Sequence, residues 1–449
     1  MDLHGWIAEA AERHAVPGVA VAVGHRGELF EAATGVVNVD TGVATTPDTV
    51  FQIGSVTKVW TAVLVMQLVE DGLVDLDQPV RRYLPEFAVV DPAATATVTV
   101  RQLLLHTGGF EGDLFEDTGR GDDALGRYLA HLGENAEQIA SPGALYSYCN
   151  SGFSVLGAMV ARLRGGTWES VLRDRLLEPR GLRHVALFPE EAILFRAAAG
   201  HIGGAVTPRW QLPRSIGPAG ASPCAAPREL VRFGRMFLDG GPAAMTTAQL
   251  DLPGVPERGA RHRGLGPVLY DWDGTTAIGH DGDTMGQATQ WRVVPDHDLV
   301  VAICANSASY RGLFDEVLDR IVHELTGLRI PARPVPPATP PRPGPERFAG
   351  RYRFPLATYD VVATDDGFDV TSTPRGLAAQ LGEGTTTERY VGLGGDTFIT
   401  AEPVDGDHST LTFLDGGRYL YGGRVAVREP GSGVAVGEQA LDHGVDAGQ

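Results

Sequence analysis

The chain has 449 residues, 43% hydrophobic and 21% charged, with a formal net charge of −19. That length points to two domains, and that charge excludes a nucleic-acid surface, which needs clustered Lys and Arg, and disfavours an anionic membrane surface. No apolar run is long enough to span a bilayer.

The opening residues, MDLHGWIAEAAERHAVPG, lack the basic and apolar regions of an export signal. The three cysteines, Cys149, Cys224 and Cys304, are few and widely spaced, as expected of reduced thiols in a cytoplasmic protein. Residues 2–15 predict a helix, and PGVAVAVG and ELFEAATG a hairpin around HRGE. A long, mostly helical middle follows. TAIGH, GQATQWRVVP and DLVVAICAN then read as three more strands, and residues 311–327 as a closing helix. Two early and three late strands predict an α/β fold: one antiparallel five-stranded sheet flanked by helices, with the helical middle inserted. This body is expected over 1–328. RIPARPVPPATPPRPGPE (329–346) is too proline-rich for a helix or central strand and reads as a stiff linker. From 347 to 429 short alternating runs such as GRYRF, GFDVTST and RYLYGGRVAV predict a small all-β barrel or sandwich. Residues 430–449 are Gly-rich and polar, and read as a disordered tail.

Lys and Arg together number 37, of which Lys58 is the single lysine, leaving 37 − 1 = 36 arginines. It follows Ser55 by three residues, at the start of the apolar stretch VWTAVLVMQL, which predicts a central, buried helix. The spacing puts both side chains on one helix face. A serine hydroxyl needs a base to become a nucleophile, and a neutral lysine amine can serve. Its free pKa of about 10.4 must fall through burial or a neighbouring cation. Arginine cannot do this, because its pKa stays above about 12. One lysine retained beside a serine therefore marks a catalytic pair.

Ser-x-x-Lys, then a polar triplet, then Lys-Thr-Gly is the pattern of serine β-lactamases and penicillin-binding proteins. Here YSYCNSG supplies Tyr148 and Asn150, a phenol to relay a proton and an amide to bond the serine, the lysine or a substrate carbonyl. AIGHDGDTMG supplies His280-Asp281-Gly282 on what should be an edge strand. Gly282 would let a substrate backbone lie against the strand, and the charge on His280, in place of lysine, would depend on pH. No metal site is read: Asp and His in PDHD (295–298) lack ligand spacing on one element. No cofactor is expected.

Through PGVAVAV, VFQIGSVTK, GLVDLDQPVRRYLP, VTVRQLLLHTGG, YSYCNSGFSVLG and IGHDGDTMG, residues 5–327 resemble the serine β-lactamase and penicillin-binding protein superfamily. The class C-like branch, with its esterases and D-aminopeptidases, is the nearest in pattern. The resemblance implies Ser55 as the acylated nucleophile, Lys58 and Tyr148 sharing the proton work, Asn150 beside them, and an oxyanion hole from the Ser55 and Asp283 amides. It implies a structural role for His106. His280 departs from the Lys-Thr-Gly pattern, which argues toward ester or amide substrates and away from β-lactams. The C-terminal module resembles the lipocalin-like domain of aminopeptidase-type members, whose loops shape specificity. Arg424 there would anchor a substrate carboxylate, although a solvated barrel arginine is the commoner case.

The resulting expectation is a serine hydrolase cleaving amides or esters of small peptide-like substrates. A second reading is a penicillin-binding-protein-type thioesterase, peptide cyclase or transacylase in natural-product assembly, served by a carrier-protein-bound acyl donor. A third is a catalytically inactive binding module. Sequence leaves the acyl acceptor and the oligomeric state open.

Overall fold

The computed structural model describes residues 1–341, 344–404 and 406–431. Helix α1 (Leu3–Arg13) starts where the Asp2 side chain accepts the Gly5 N–H at 3.0 Å. Strands β1 (Gly18–His25) and β2 (Glu28–Asn38) form the predicted hairpin. Its two turn residues, Arg26 and Gly27, both have positive φ (49° and 82°), the twist-matched choice for a two-residue connection.

The inserted region holds α2 (Thr57–Glu70), α3 (Asn150–Arg164) and α4 (Pro227–Leu238). The chain then returns through β3 (Ala260–Arg263), β4 (Val268–Trp272), β5 (Thr275–Asp283), β6 (Ala288–Val294) and β7 (Leu299–Ala305), and closes with α5 (Arg311–Thr326). The five predicted strands form the centre of the antiparallel sheet in the order β2-β1-β7-β6-β5. Val43–Ala44 extends it beyond β2, and β4, β3 and Leu250–Asp251 extend it beyond β5, giving nine strands among the described residues. Side chains alternate between two layers. Leu299, Val301 and Ile303 of β7 pack with α1 and α5, while Val300, Ala302 and Cys304 face the layer of α2, α3 and α4.

The predicted edge strand is therefore not outermost. β4 pairs only with Thr275–Gly279 of β5, however. Residues His280–Asp283 pair with β6 alone, so a short free edge survives at that end of β5.

Residues 350–428 form a closed antiparallel barrel of eight strands, from β8 (Gly350–Phe354) to β14 (Tyr419–Tyr421) and β15 (Val425–Arg428). Pairing of Tyr352 with Arg428 and of Arg353 with Val427 closes it. Phe348, Phe368, Phe398 and Phe413 fill its interior, the first and last stacked at 4.3 Å. RYLYGGRVAV, read as one run, is two strands separated by Gly422–Arg424. The barrel packs on the sheet-and-helix body through that break: Tyr148 N–H donates to Gly423 O at 3.3 Å and Val425 N–H to Ser147 Oγ at 3.1 Å. Arg333, in the proline-rich stretch, pairs with Asp315, Glu257 and the barrel's Asp407 at 2.6, 3.2 and 3.3 Å. The expected disordered tail lies, beyond residue 431, outside the described residues.

Candidate active site

Ser55 sits in a 3-10 turn (Gly54–Val56) that feeds α2, one step earlier than the α-helical placement expected from its spacing. The turn needs glycine. Gly54 has φ of 51°, and a Cβ there would stand 2.7 Å from the Asp283 nitrogen. Gly282, on the facing strand β5, is equally crowded, since its Cβ would stand 2.8 Å from the Ser55 nitrogen. Two glycines thus let two backbones touch, bringing the Ser55 and Asp283 amides to one place.

α2 is buried on almost every side, and Lys58 in its first turn is fully buried. Its Nζ lies 2.9 Å from Ser55 Oγ and donates to Ala219 O at 2.6 Å. It also stands 4.8 Å over the Tyr148 ring and 5.8 Å over that of Phe153. Burial first, and then the charge of Arg424, hold this amine well below the ordinary lysine range. The nearby Asp113 carboxylate pulls the other way.

Tyr148 precedes α3 and lines the same cleft as Ser55. Its hydroxyl interacts with Ser55, but not in the alignment of a regular hydrogen bond. Burial pushes the phenol up, against the opposing effect of Ser55, so it keeps its proton at neutral pH. His106 holds it from behind. The two rings stack at 4.4 Å, and His106 Nδ1 accepts the Cys149 N–H at 3.0 Å. Burial first, and then the charge of Arg263, keep His106 neutral. Cys149 in turn caps α3, its Sγ accepting the Gly152 N–H at 3.3 Å.

Asn150, expected to bond the serine, the lysine or the substrate, lines the cleft, and its Nδ2 donates to Asp113 Oδ1 at 2.5 Å. Asp113 is buried, and its other oxygen pairs with Arg424 Nε from the barrel. Arg424, its side chain 36% exposed, is held by this pair rather than free on the barrel surface: its guanidinium lies 5.1 Å from the Tyr148 ring and lines the cleft. His280 also lines the cleft, but not as a pH-dependent cation. It is 4% exposed, its Nδ1 is 2.6 Å from Asp281 O, and burial with the charge of Arg263 holds it neutral. The positive charge comes from Arg424 and from Arg263 at the end of β3, which is 1% exposed and donates to Gly266 O at 2.8 Å.

The cleft of about 440 Å³ therefore gathers Ser55, Tyr148, Asn150, His280, Asp283 and Arg424, while Lys58 and Gly282 lie outside its lining, one bonded to Ser55 Oγ and the other packed against the Ser55 nitrogen. Sequence reasoning missed Asp113 and Arg263. Asp113 sits in GGFEGDLFE, seven residues after His106, and Arg263 is one of 36 arginines; neither carries a distinguishing pattern. Only the fold brings them to the cleft.

The family model described as Beta-lactamase matches residues 3–324. The chain belongs to the beta-lactamase family. Penicillin-binding protein 4 of Amycolatopsis lactamdurans is 42% identical to this beta-lactamase-family chain over 358 residues, 76% of the chain and 93% of that relative. Esterase EstB of Burkholderia gladioli is 34% identical over 185 residues, 38% of this chain and 47% of EstB. A crystal structure of SurE with D-Leu superposes with a TM-score of 0.74 at 29% identity, covering 95% of this chain and 98% of that one. D-amino acid amidase from Ochrobactrum anthropi SV3, at 22% identity and a TM-score of 0.62, covers 72% of this chain and 98% of its own, and shares the fold. This beta-lactamase-family protein is a serine hydrolase of that fold. Among the described residues, no helix is long and apolar enough to cross a membrane.

Proposed function

We propose that the protein transfers a peptide-like acyl group through an ester on Ser55, cleaving an amide or ester bond of a small substrate. The observation that carries this is a fully buried lysine amine, held below its ordinary range, 2.9 Å from a serine hydroxyl. Neutral Lys58 takes the Ser55 proton as Oγ attacks the substrate carbonyl. The developing oxyanion rests between the Ser55 and Asp283 N–H groups, each worth roughly 3 kcal/mol of transition-state stabilisation. Tyr148, still protonated, gives its proton to the leaving amine or alkoxide and regains one through Lys58. Water or an amine then takes the acyl group by the reverse sequence.

The substrate side is read from charge and from the free strand edge. A peptide backbone can pair with the free edge of β5 near His280–Asp283, while the missing side chain of Gly282 makes room for the Ser55 turn rather than for substrate. Arg424 and Arg263 favour a carboxylate on the substrate or acceptor. The likeness to SurE, solved with D-Leu, supports a D-configured residue at that position. The second reading, a peptide cyclase or transacylase with an amine acceptor and a carrier-bound donor, would use the same Ser55 ester, and on that choice the likeness to SurE bears through the architecture alone. That likeness spans 95% of the chain, and so takes in the barrel, whose loop reaches the cleft beside Ser55. Mass spectrometry after a fluorophosphonate probe should find the label on Ser55 and none on Ser55→Ala. A panel of p-nitrophenyl esters, D-amino acid amides, nitrocefin and peptidyl thioesters then separates the acceptors. Turnover of nitrocefin alone would overturn the peptide-like assignment.

A further inference from the structure

Lys58 is faced by titratable groups from every element around it. The loop after residue 105 supplies His106 and Asp113, and the segment before α3 supplies Tyr148 and Cys149. β3 brings Arg263, β5 brings His280, and the barrel brings Arg424. Burial leaves His106 and His280 neutral, keeps the Tyr148 phenol protonated, and pushes the Cys149 thiol up to about 12. The charges that remain near the amine are the Asp113 carboxylate and the two guanidiniums of Arg263 and Arg424.

Arg263 belongs to the sheet and is always present. Asp113 belongs to the catalytic body as well, with a side chain 1% exposed. Its cationic partner does not: Arg424 arrives on the Gly422–Arg424 loop of a separate barrel, held by the Gly423 and Val425 backbone bonds. Asn150, the other partner of Asp113, is neutral and cannot cancel the carboxylate. Without Arg424, the Asp113 carboxylate near Lys58 would lose the guanidinium paired with it, and a proton on the amine is the nearest remedy.

We propose that the barrel's Arg424, by pairing with Asp113, keeps Lys58 in its neutral, proton-accepting form, so that barrel docking switches the catalytic base on. Asp113 and Arg424 act here as positioning residues, through Lys58. The inference rests on the reading of Lys58 as the base for Ser55. It is separate from carboxylate recognition by Arg424, and an uncharged substrate keeps the two apart.

The test measures acylation of Ser55 in the full chain by p-nitrophenyl acetate, which carries no carboxylate, from about pH 5 to about pH 10. The acid limb of the rate reports loss of the Lys58 proton. Arg424→Met should move that limb up by about one pH unit or more, lowering the rate on its acid side about tenfold. Asp113→Asn should move it down. The double variant should return it to within about half a unit of wild type, and Arg424→Lys, which keeps the charge, should leave it in place. A limb unmoved by Arg424→Met, or moved but not restored in the double variant, overturns the proposal. If Arg424→Met does not fold, the direction of the Asp113→Asn shift decides alone: downward supports the proposal, and upward or none overturns it. Wild type that forms no ester at Ser55 would instead overturn the nucleophile assignment, and this inference with it.

Discussion

Replacing Gly282 by alanine adds one methyl group where β5 crosses the Ser55 turn. That carbon would overlap the Ile53 carbonyl oxygen and stand 2.8 Å from the Ser55 nitrogen, where ordinary contact starts at 3.4 Å. Relieving the second contact alone needs a displacement of 3.4 − 2.8 = 0.6 Å, and the backbone overlap demands more. Both obstacles are backbone, so no side chain can rotate away. An oxyanion donor works only within about 2.7–3.1 Å of the oxygen it stabilises, so a shift of this size removes the Asp283 N–H from use. Losing one such donor costs about 2.7–4 kcal/mol, or about 10²–10³-fold in kcat. The assay is kcat and KM on a p-nitrophenyl ester, with the melting temperature and near-UV circular dichroism as checks of folding. Gly126→Ala, on a helix where an added Cβ meets nothing within 4 Å, is the matched control and should keep full activity. A folded Gly282→Ala enzyme within about threefold of wild type would refute the oxyanion geometry argued here.

Lys58→Arg should lose at least about a thousandfold in kcat/KM on any substrate, because a guanidinium cannot accept the Ser55 proton; appreciable turnover by this variant would remove Lys58 as the base. Tyr148→Phe should cost about 10²–10⁴-fold on amides but markedly less on p-nitrophenyl esters, whose leaving group needs no proton; equal losses on both substrates would rule out the acid role. His106 and His280 are held neutral below their ordinary value, so the unfolded chain binds more protons than the native one as pH falls from about 6.5 toward the native values. Stability should be full above about pH 6.5 and drop steadily below it, and His280→Gln should flatten the dependence of melting temperature on pH; an unchanged slope would contradict a buried neutral His280.

The hairpin at Arg26-Gly27, the late strands as segments and the buried α2 were legible because each is written in one local run of residues, which the chain carries whatever its partners do. The Ser55–Lys58 pair was legible for the same reason: its geometry is one turn of one segment, marked by the only lysine in the chain. Tyr148 and His280 could be named only through order and spacing, and the charge on His280 could not be read at all, because burial and the nearby Arg263 decide it. Arg424 shows the limit most plainly. In RYLYGGRVAV it reads as one arginine among many on a strand, and only the tertiary structure breaks that strand at Gly422-Gly423 and seats the guanidinium on Asp113, 311 residues earlier (424 − 113). Sequence determines which side chains can do chemistry and which segments can coil or extend. Solvation and field at a site are sums over groups distant in the chain, so the fold alone decides whether a lysine is neutral, a histidine uncharged or an aspartate paired.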